Sequence, residues 1–455
     1  MSSLPDRVDV VIIGAGTAGA AAAYQLARRG MSALCLDRRP LDGAGAHWVN
    51  SVAENLFEAA DIPLPQGDEI VGGNRPFYLF AGWGPRRIEL DSYGAPELDM
   101  RKLVARLQGL AAGVGATLVG GVRVDAVDDQ HVHTAAGSVR SRWVVDASGL
   151  AGLRLLEPPK VSARDLCSAS QSTFRLADEV AARAFWAQHD ASFGDNLCFA
   201  GVAGGYSILN VHVHGDEVGI LTGTIPGEGN PSGTALLRSF ADRHEWIGEE
   251  IHTGSRAIPV RRPFDRLTDG RVIAIGDAAS QVFPAHGSGI GAGMIAARKL
   301  ADALADGRGA HAFAADWMRT EGGKFAAYDV FRRFTQRMGE AELGTLLRTG
   351  LMDQITAKAA KLQVAPDFPP EVLPAKLRGL VQARGLGARV VGTIAKMELA
   401  KALYRRYPED PAKLPAWSRA AGLLFGDAPD VTGPMPRRSR VSPQRAPGER
   451  PAMHT

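Results

Sequence analysis

A chain of 455 residues with 45% hydrophobic and 22% charged side chains can bury large cores and has the length of two or three domains. A net charge of +3 supplies no global field for nucleic acid, and no run reaches the apolar length of a membrane span. Three cysteines, Cys35, Cys167 and Cys198, make neither a C-x-x-C pair nor an even framework, which argues against structural zinc and for buried thiols in a reducing compartment.

The N-terminal stretch "MSSLPDRVDVVIIGAG" runs from one Arg into a strand without the apolar core of a secretory signal, so a cytoplasmic location is expected. The pattern predicts a strand over 8–13, a turn over 14–19, a helix over 20–29 stopped by Gly30, and a second strand over 32–37. This is a βαβ unit of a doubly wound parallel sheet. Its turn, "GAGTAG", carries Gly14, Gly16 and Gly19 after the strand and at the helix entrance, with Thr17 and Ala18 between the last two glycines. The first glycine permits the tight turn, the second lets a pyrophosphate reach the backbone, and the third lets helix and strand pack closely. Asp37 ends the second strand, where it can accept from an adenosine ribose, and Arg38 and Arg39 follow it. At this point NAD and FAD fit equally.

A helix is predicted over 99–112, then strands over 117–125, 131–134 and 143–146, the last running into "VVDASG". From about 167 to 258 the texture changes to alternating strands with hairpins, as at Gly215-Asp216. There Tyr206, Ile208, Asn210 and His212 share one face by the period of two, opposite Val211 and Val213. That face is either the floor of a pocket or a solvent-facing strand side. His212 and His214 lack a third ligand at suitable spacing, and no metal site is expected.

The parallel pattern returns at 272–275 and opens into "GDAASQVFPAHGSGIG", from Gly276 to Gly291, with a helix beginning near 288. An Asp emerging from a sheet strand at Asp277, followed by Pro284, Gly287 and Gly289, can reach the middle and far end of a dinucleotide whose adenine end lies at Asp37. Such an Asp accepts from a polyol, and a helix N-terminus beside a flavin pyrimidine edge stabilises the negative charge of the reduced ring. NAD has no ribityl chain, so the second turn selects FAD. Beyond 307 the chain reads as amphipathic helix to about 424. Its stretch 376–406 holds eight Lys and Arg against one Glu, which leaves anionic lipid, a carrier protein or a plain solvated face open.

"GAGTAG" with Asp37, "VVDASG", and "GDAASQVFPAHGSGIG" together resemble the glutathione-reductase-type FAD enzymes, over about 300 residues. The branch is the one of para-hydroxybenzoate hydroxylase-like monooxygenases, geranylgeranyl reductases and flavin-dependent halogenases. The resemblance implies an α/β fold: a Rossmann-like FAD-binding domain (7–65, 95–165 and 256–310), an inserted antiparallel-sheet substrate domain (66–94 and 166–255), a helical C-terminal region (311–430) and a disordered tail (431–455). It implies FAD contacts from Gly14, Gly16, Thr17, Ala18, Gly19, Asp37 and Arg38 at one end. Arg101, Asp146 and Gly149 follow, then Gly276, Asp277, Pro284, Gly287, Gly289 and Ile290 at the ribityl and isoalloxazine end.

Within that branch the match is uneven. The halogenase W-x-W-x-I-P signature is replaced by "GGYSILNVHV", and no Lys precedes Lys102, so halogenation is not expected. "GAGAHWVNSV" lacks the Cys of geranylgeranyl reductases, and their aromatic-Phe-Pro signature is also missing. "DASG" departs from the Asp-Gly motif of aromatic hydroxylases, which leaves NAD(P)H open as a donor, either directly or through a partner reductase. His286, inside the flavin loop, and His47, beside Trp48, are the acid-base candidates. The expected activity is oxygenation or oxidation of a hydrophobic or aromatic small molecule. The alternatives are an alkene reductase, a halogenase homologue without its motifs, and an FAD-binding electron-transfer component. A small-molecule substrate is expected and nucleic acid is not, peripheral membrane contact stays open, and the oligomeric state is not read.

Overall fold

The computed structural model describes residues 4–73, 75–91 and 94–433, so nearly all of the tail expected to be disordered lies outside the described residues. From Val10 to Ile13 the strand Arg7–Ile13 is aliphatic and covered on both faces, as a parallel strand between helical layers must be. It pairs in parallel with Ala33–Leu36 on one side and Gly137–Asp146 on the other. Thr117–Val119 extends this sheet beyond Ala33–Leu36, and Val272–Ala274 extends it beyond Gly137–Asp146. The carboxyl ends of these strands, at Ile13, Leu36, Asp146 and Ala274, therefore lie side by side, the usual ligand edge of an open α/β sheet.

Local differences from the predicted elements have local causes. The first helix spans Thr17–Ala27, starting earlier because Gly16 is already its N-cap. The strand predicted over 117–125 is two, Thr117–Val119 and Val124–Val127, because Gly121 turns the chain at a φ of +74°. The strand predicted over 143–146 begins at Gly137, held by its antiparallel pairing with His131–Thr134.

A second sheet of seven strands takes Phe77–Ala81 and Arg87–Leu90 from one stretch of chain and five strands from 166–259. Its hairpin Ser207–His214 to Glu217–Thr224 turns at Gly215, with a φ of +60° that suits glycine at the first turn position. One face buries Leu209, Val211 and Val213 beneath the helices Glu179–Gln188 and Gly233–Ala241 among Phe185, Trp186 and Phe240. The strand Ile247–Pro259 stays paired with Leu166–Leu176 as far as Pro259, past the boundary expected at 255. It thereby carries Arg256 toward the first sheet.

Helices from Ala310–Trp317 to Leu414–Phe425 complete the chain. Gly323–Thr335 packs along Gly385–Tyr404, where a Cβ on Gly323 would lie 3.2 Å from the Tyr404 side chain. These helices wall the space beyond the open face of the second sheet.

Candidate FAD and substrate cavity

One cavity of about 2360 Å³ runs from the carboxyl edge of the parallel sheet, beneath the second sheet, to the C-terminal helices. An ordinary small-molecule site occupies about 300–1,000 Å³, so a cofactor and a second large ligand fit together.

At the first end, Gly14 adopts a φ of +106°, and a Cβ there would stand 2.4 Å from the Ala147 carbonyl oxygen. Gly19 does not face the cavity; a Cβ on it would lie 1.7 Å from the Gly14 oxygen, so it serves the close packing of helix on turn. Gly16, Thr17 and Ala18 line the cavity, and no side chain caps the helix Thr17–Ala27 or places an acid in its first turn. Its leading N–H groups thus remain for an anion. Asp37 is buried at the wall, its Oδ2 accepting from the Ala15 N–H at 2.8 Å and its Oδ1 from the Arg39 N–H at 2.9 Å. Each oxygen keeps a lone pair for a ribose hydroxyl. Arg38, Arg39 and Gly149 line the same end.

Further along, Gly276 at a φ of +65° donates its N–H to Gln281 Oε1 at 2.7 Å, and Asp277 faces the cavity. Enclosure pushes the Asp277 carboxyl up from its ordinary range, opposed by the charge of Arg256. The helix Ile290–Ala305 begins at Gly289 with no side-chain cap and no acid in its first turn, so a second set of free N–H groups meets the cavity. Gly287, Gly289 and Ile290 line it as well. Two open helix N-termini with an aspartate near each suit an extended dinucleotide, and these residues fit FAD.

Besides Gly19, three expected contacts and the acid-base candidate His47 are placed elsewhere. Asp146 is fully buried and accepts from the Ser148 N–H at 3.1 Å and the Leu155 N–H at 3.0 Å. It shapes the turn that presents Ala147 to Gly149 instead of facing the cavity itself. Arg101 is exposed outside the lining, 3.8 Å from Asp99, because Asp99 caps the helix Met100–Gly113 and the Arg side chain leaves its first turn toward solvent. Pro284 is buried behind the wall. His47 is exposed, and its carbonyl lies 3.2 Å from His252 Nε2. Its neighbour Trp48 takes the place at the cavity, under the Arg256 guanidinium at 5.9 Å.

His286 does line the cavity, 4.9 Å from the Phe283 ring, and its Nε2 has no hydrogen-bond partner among the described residues. Loss of bulk water around the ring, with the nearby charge of Lys361, pushes its pKa down to about 4. The imidazole is therefore held neutral near pH 7. Beside the next residue, the Tyr206 hydroxyl lies 3.8 Å from where a Gly287 Cβ would stand, and burial holds the phenol well above its ordinary range. Ile208, Asn210 and His212 line the cavity with Tyr206, so that strand face is turned to the pocket and not to solvent. The Asn210 Oδ1 is buried and unpartnered among the described residues. Cys167 and Cys198 also face it, their thiols pushed up to about 12 by burial, which leaves them neutral and small.

Two residues of this site carry no motif. Arg256 donates to the Gly45 carbonyl at 2.6 Å, fixing the segment beside Trp48. Gln171 clamps the same segment, donating to the Val49 carbonyl at 2.9 Å and accepting from its N–H at 2.8 Å. Beyond them the lining turns apolar, with Phe331, Phe334, Leu347, Met352, Leu380 and Met397 from the C-terminal helices.

Comparison with known proteins agrees with this geometry. Residues 9–53 match the family described as FAD dependent oxidoreductase. A digeranylgeranylglycerophospholipid reductase of Sulfolobus acidocaldarius is 24% identical over 445 residues, 91% of this chain and 96% of the relative. A second reductase of that name, from Methanothermobacter thermautotrophicus, is 27% identical over 80% of this chain and 97% of its own. Among solved structures, a geranylgeranyl bacteriochlorophyll reductase-like protein of Thermoplasma acidophilum aligns over 86% of this chain and 100% of its own, with a TM-score of 0.67 at 17% identity. A flavin-dependent brominase aligns over 83% of this chain and 98% of its own, with a TM-score of 0.60 at 16% identity. This chain is an FAD-dependent oxidoreductase. Its fold is that of the branch holding the geranylgeranyl reductases and flavin-dependent halogenases.

Proposed function

We propose that this protein reduces carbon–carbon double bonds in a long apolar substrate of isoprenoid type. The observation that carries the reading is the continuity of one cavity from the flavin loop, Ala285 to Ile290, into an apolar channel lined by Phe331, Phe334 and Leu347. A compact aromatic substrate would leave that channel unfilled, whereas a polyprenyl chain fills it and draws about 25 cal/mol per Å² of buried apolar surface from it. The likeness to digeranylgeranylglycerophospholipid reductases along most of the chain supports the same reading.

Reduced FAD, when bound, supplies the hydride. The chain must hold the alkene beside the flavin, exclude water and deliver one proton to the other carbon. Trp48 and Arg256 line the cavity near the flavin loop, and Cys167, Cys198 and Ile208 add apolar lining from the second sheet. Tyr206 is the proton donor in this proposal, because its phenol stays protonated and its hydroxyl borders the flavin loop. His286 stays neutral and offers its unpartnered Nε2 as a hydrogen-bonding atom at the flavin edge.

Oxygenation or oxidation of a smaller molecule is the second reading, favoured by the polar set Gln171, Asn196 and Asn210 in the same lining. One experiment separates the two. Holoenzyme reduced with dithionite is mixed with a geranylgeranyl lipid and, separately, with oxygen. Gain of two hydrogens per double bond in the lipid, with slow flavin reoxidation by oxygen, is the expected result. A C4a-adduct absorbance with unchanged lipid overturns the reduction reading in favour of the second. Tyr206→Phe should lower lipid turnover about 10²–10⁴-fold at unchanged flavin content. Anaerobic mixing with NADPH or NADH tests whether either donates directly.

A further inference from the structure

The far end of the cavity is lined by the helices Leu373–Gln382 and Gly385–Tyr404. Leu373 and Ile394 are each about half exposed, yet both line the cavity, so they form its lip. From that lip an apolar surface spreads outward. On the first helix Leu373, Leu377 and Val381 follow one another at the four-residue spacing of a single face, and their exposure rises from 46% to 64% to 78%. On the second, Val391, Ile394 and Leu399 are exposed at 50%, 52% and 60%. Six of the fourteen large hydrophobic residues exposed among the described residues thus fall within 373–399. Scattered single apolar residues are ordinary, but a contiguous patch around a cavity mouth marks a contact surface.

The charges beside it specify the partner. The stretch 376–406 holds eight basic residues and one acid. Arg378, Arg384, Lys396, Arg405 and Arg406 make no ion pair among the described residues, while Lys376, Arg389 and Lys401 are neutralised by Asp353, Glu342 and Glu398. Apolar side chains interleaved with free cations match a bilayer surface of anionic lipid, where the former enter the acyl boundary and the latter meet the headgroups. No helix among the described residues is long and apolar enough to cross a membrane, so such contact lies along the surface.

We infer that the face formed by Leu377, Val381, Val391 and Leu399 docks on an anionic lipid bilayer with the cavity mouth turned toward the lipid. The docking stands on this surface alone; that a lipid enters the cavity through the mouth rests on the proposed reduction.

The test is co-sedimentation of the full FAD-loaded chain with vesicles of phosphatidylcholine, and of phosphatidylcholine mixed with phosphatidylglycerol. The expected result is salt-sensitive binding to the mixed vesicles and weak binding to phosphatidylcholine alone. Leu377→Asp with Val381→Asp should weaken binding about tenfold or more, since each removes one aliphatic side chain from the lipid. Flavin content and turnover of detergent-dispersed substrate should stay unchanged, because neither residue lines the cavity. Arg378→Glu with Lys396→Glu changes charge only, should weaken binding to the mixed vesicles, and replaces the first pair if that pair fails to fold. Absence of wild-type binding to the mixed vesicles overturns the inference, as does wild-type-like binding by the altered proteins. A dimer in sedimentation velocity that Val381→Asp dissociates assigns the face to self-association and also overturns it. Vesicle binding needs no turnover, so failure of the proposed reaction leaves this result readable.

Discussion

Asp37 directly follows a strand and Asp277 lies in the turn after one, and the two are held differently. Asp37 accepts a backbone N–H at each oxygen, which organises the turn and leaves one lone pair on each, whereas Asp277 meets the cavity with Arg256 as its nearby countercharge. Asp277→Ala should therefore leave the fold intact and weaken FAD by about ten- to a hundredfold, the worth of about 1.5–3 kcal/mol for hydrogen bonds to a charged group. Flavin titration of the apoprotein measures this, and unchanged affinity refutes the role. His286 carries a pH dependence. Its folded pKa of about 4 lies below the ordinary 6.5, so between those values the unfolded chain binds a proton that the native chain does not. Stability is unaffected above pH 6.5 and is progressively lost as pH falls from 6.5 toward 4. Urea midpoints across that window should fall for wild type, and His286→Gln should flatten the slope; parallel curves would show that the ring is not held neutral.

Among the elements, the entrance of the helix Thr17–Ala27 is the most constrained. It meets the strand turn at Gly19, while Ala18 lies 2.9 Å from where a Gly293 Cβ would stand on the neighbouring helix Ile290–Ala305. Both helices can thus aim their N-termini at one ligand only because small residues let them approach. Gly19→Ala forces a methyl against the Gly14 oxygen and should cost at least about 1–3 kcal/mol of stability together with flavin binding. Gly109→Ala is the comparison, since a Cβ there meets nothing within 4 Å inside the helix Met100–Gly113. It should be neutral or stabilising by up to about 1 kcal/mol. Thermal denaturation and flavin content of the two variants read the difference.

At the scale of the molecule, buried ions tie the layers together. Arg262, fully enclosed, pairs with Asp265 and approaches Asp430 at 3.8 Å, while Arg261 reaches Asp430 at 2.7 Å. Arg332 joins Asp329 on its own helix to Asp165, just before the second sheet. The end of the second sheet, the helix Gly323–Thr335 and the 427–430 segment are thereby fastened across the back of the cavity. Removing one partner strands a buried charge, so Arg262→Ala should lower stability by about 3–5 kcal/mol. Denaturant unfolding should detect it, and a loss below about 1 kcal/mol would mean that water reaches the network.

The sequence alone located the two glycine turns that meet at the cavity, because each is built from demands a single residue reveals. Gly14 needs a positive φ, Gly19 needs the absence of a Cβ, Asp37 directly follows a strand and Asp277 lies in the turn after one. The alternation in 206–213 likewise exposed which side chains share a face, though not what that face meets. Tertiary structure decided the rest. His47 and Trp48 are adjacent, and tertiary packing, against Cys167 and Ala169 of the second sheet with Arg256 over the ring, puts Trp48 at the cavity. Arg101 fits its motif but leaves its helix toward solvent. The apolar residues of 331–397 would read the same facing a core or an empty channel, since amphipathic periodicity records burial and not what fills the space. The size and direction of the cavity arise from how three segments far apart in sequence pack, and local pattern carries no trace of that distance.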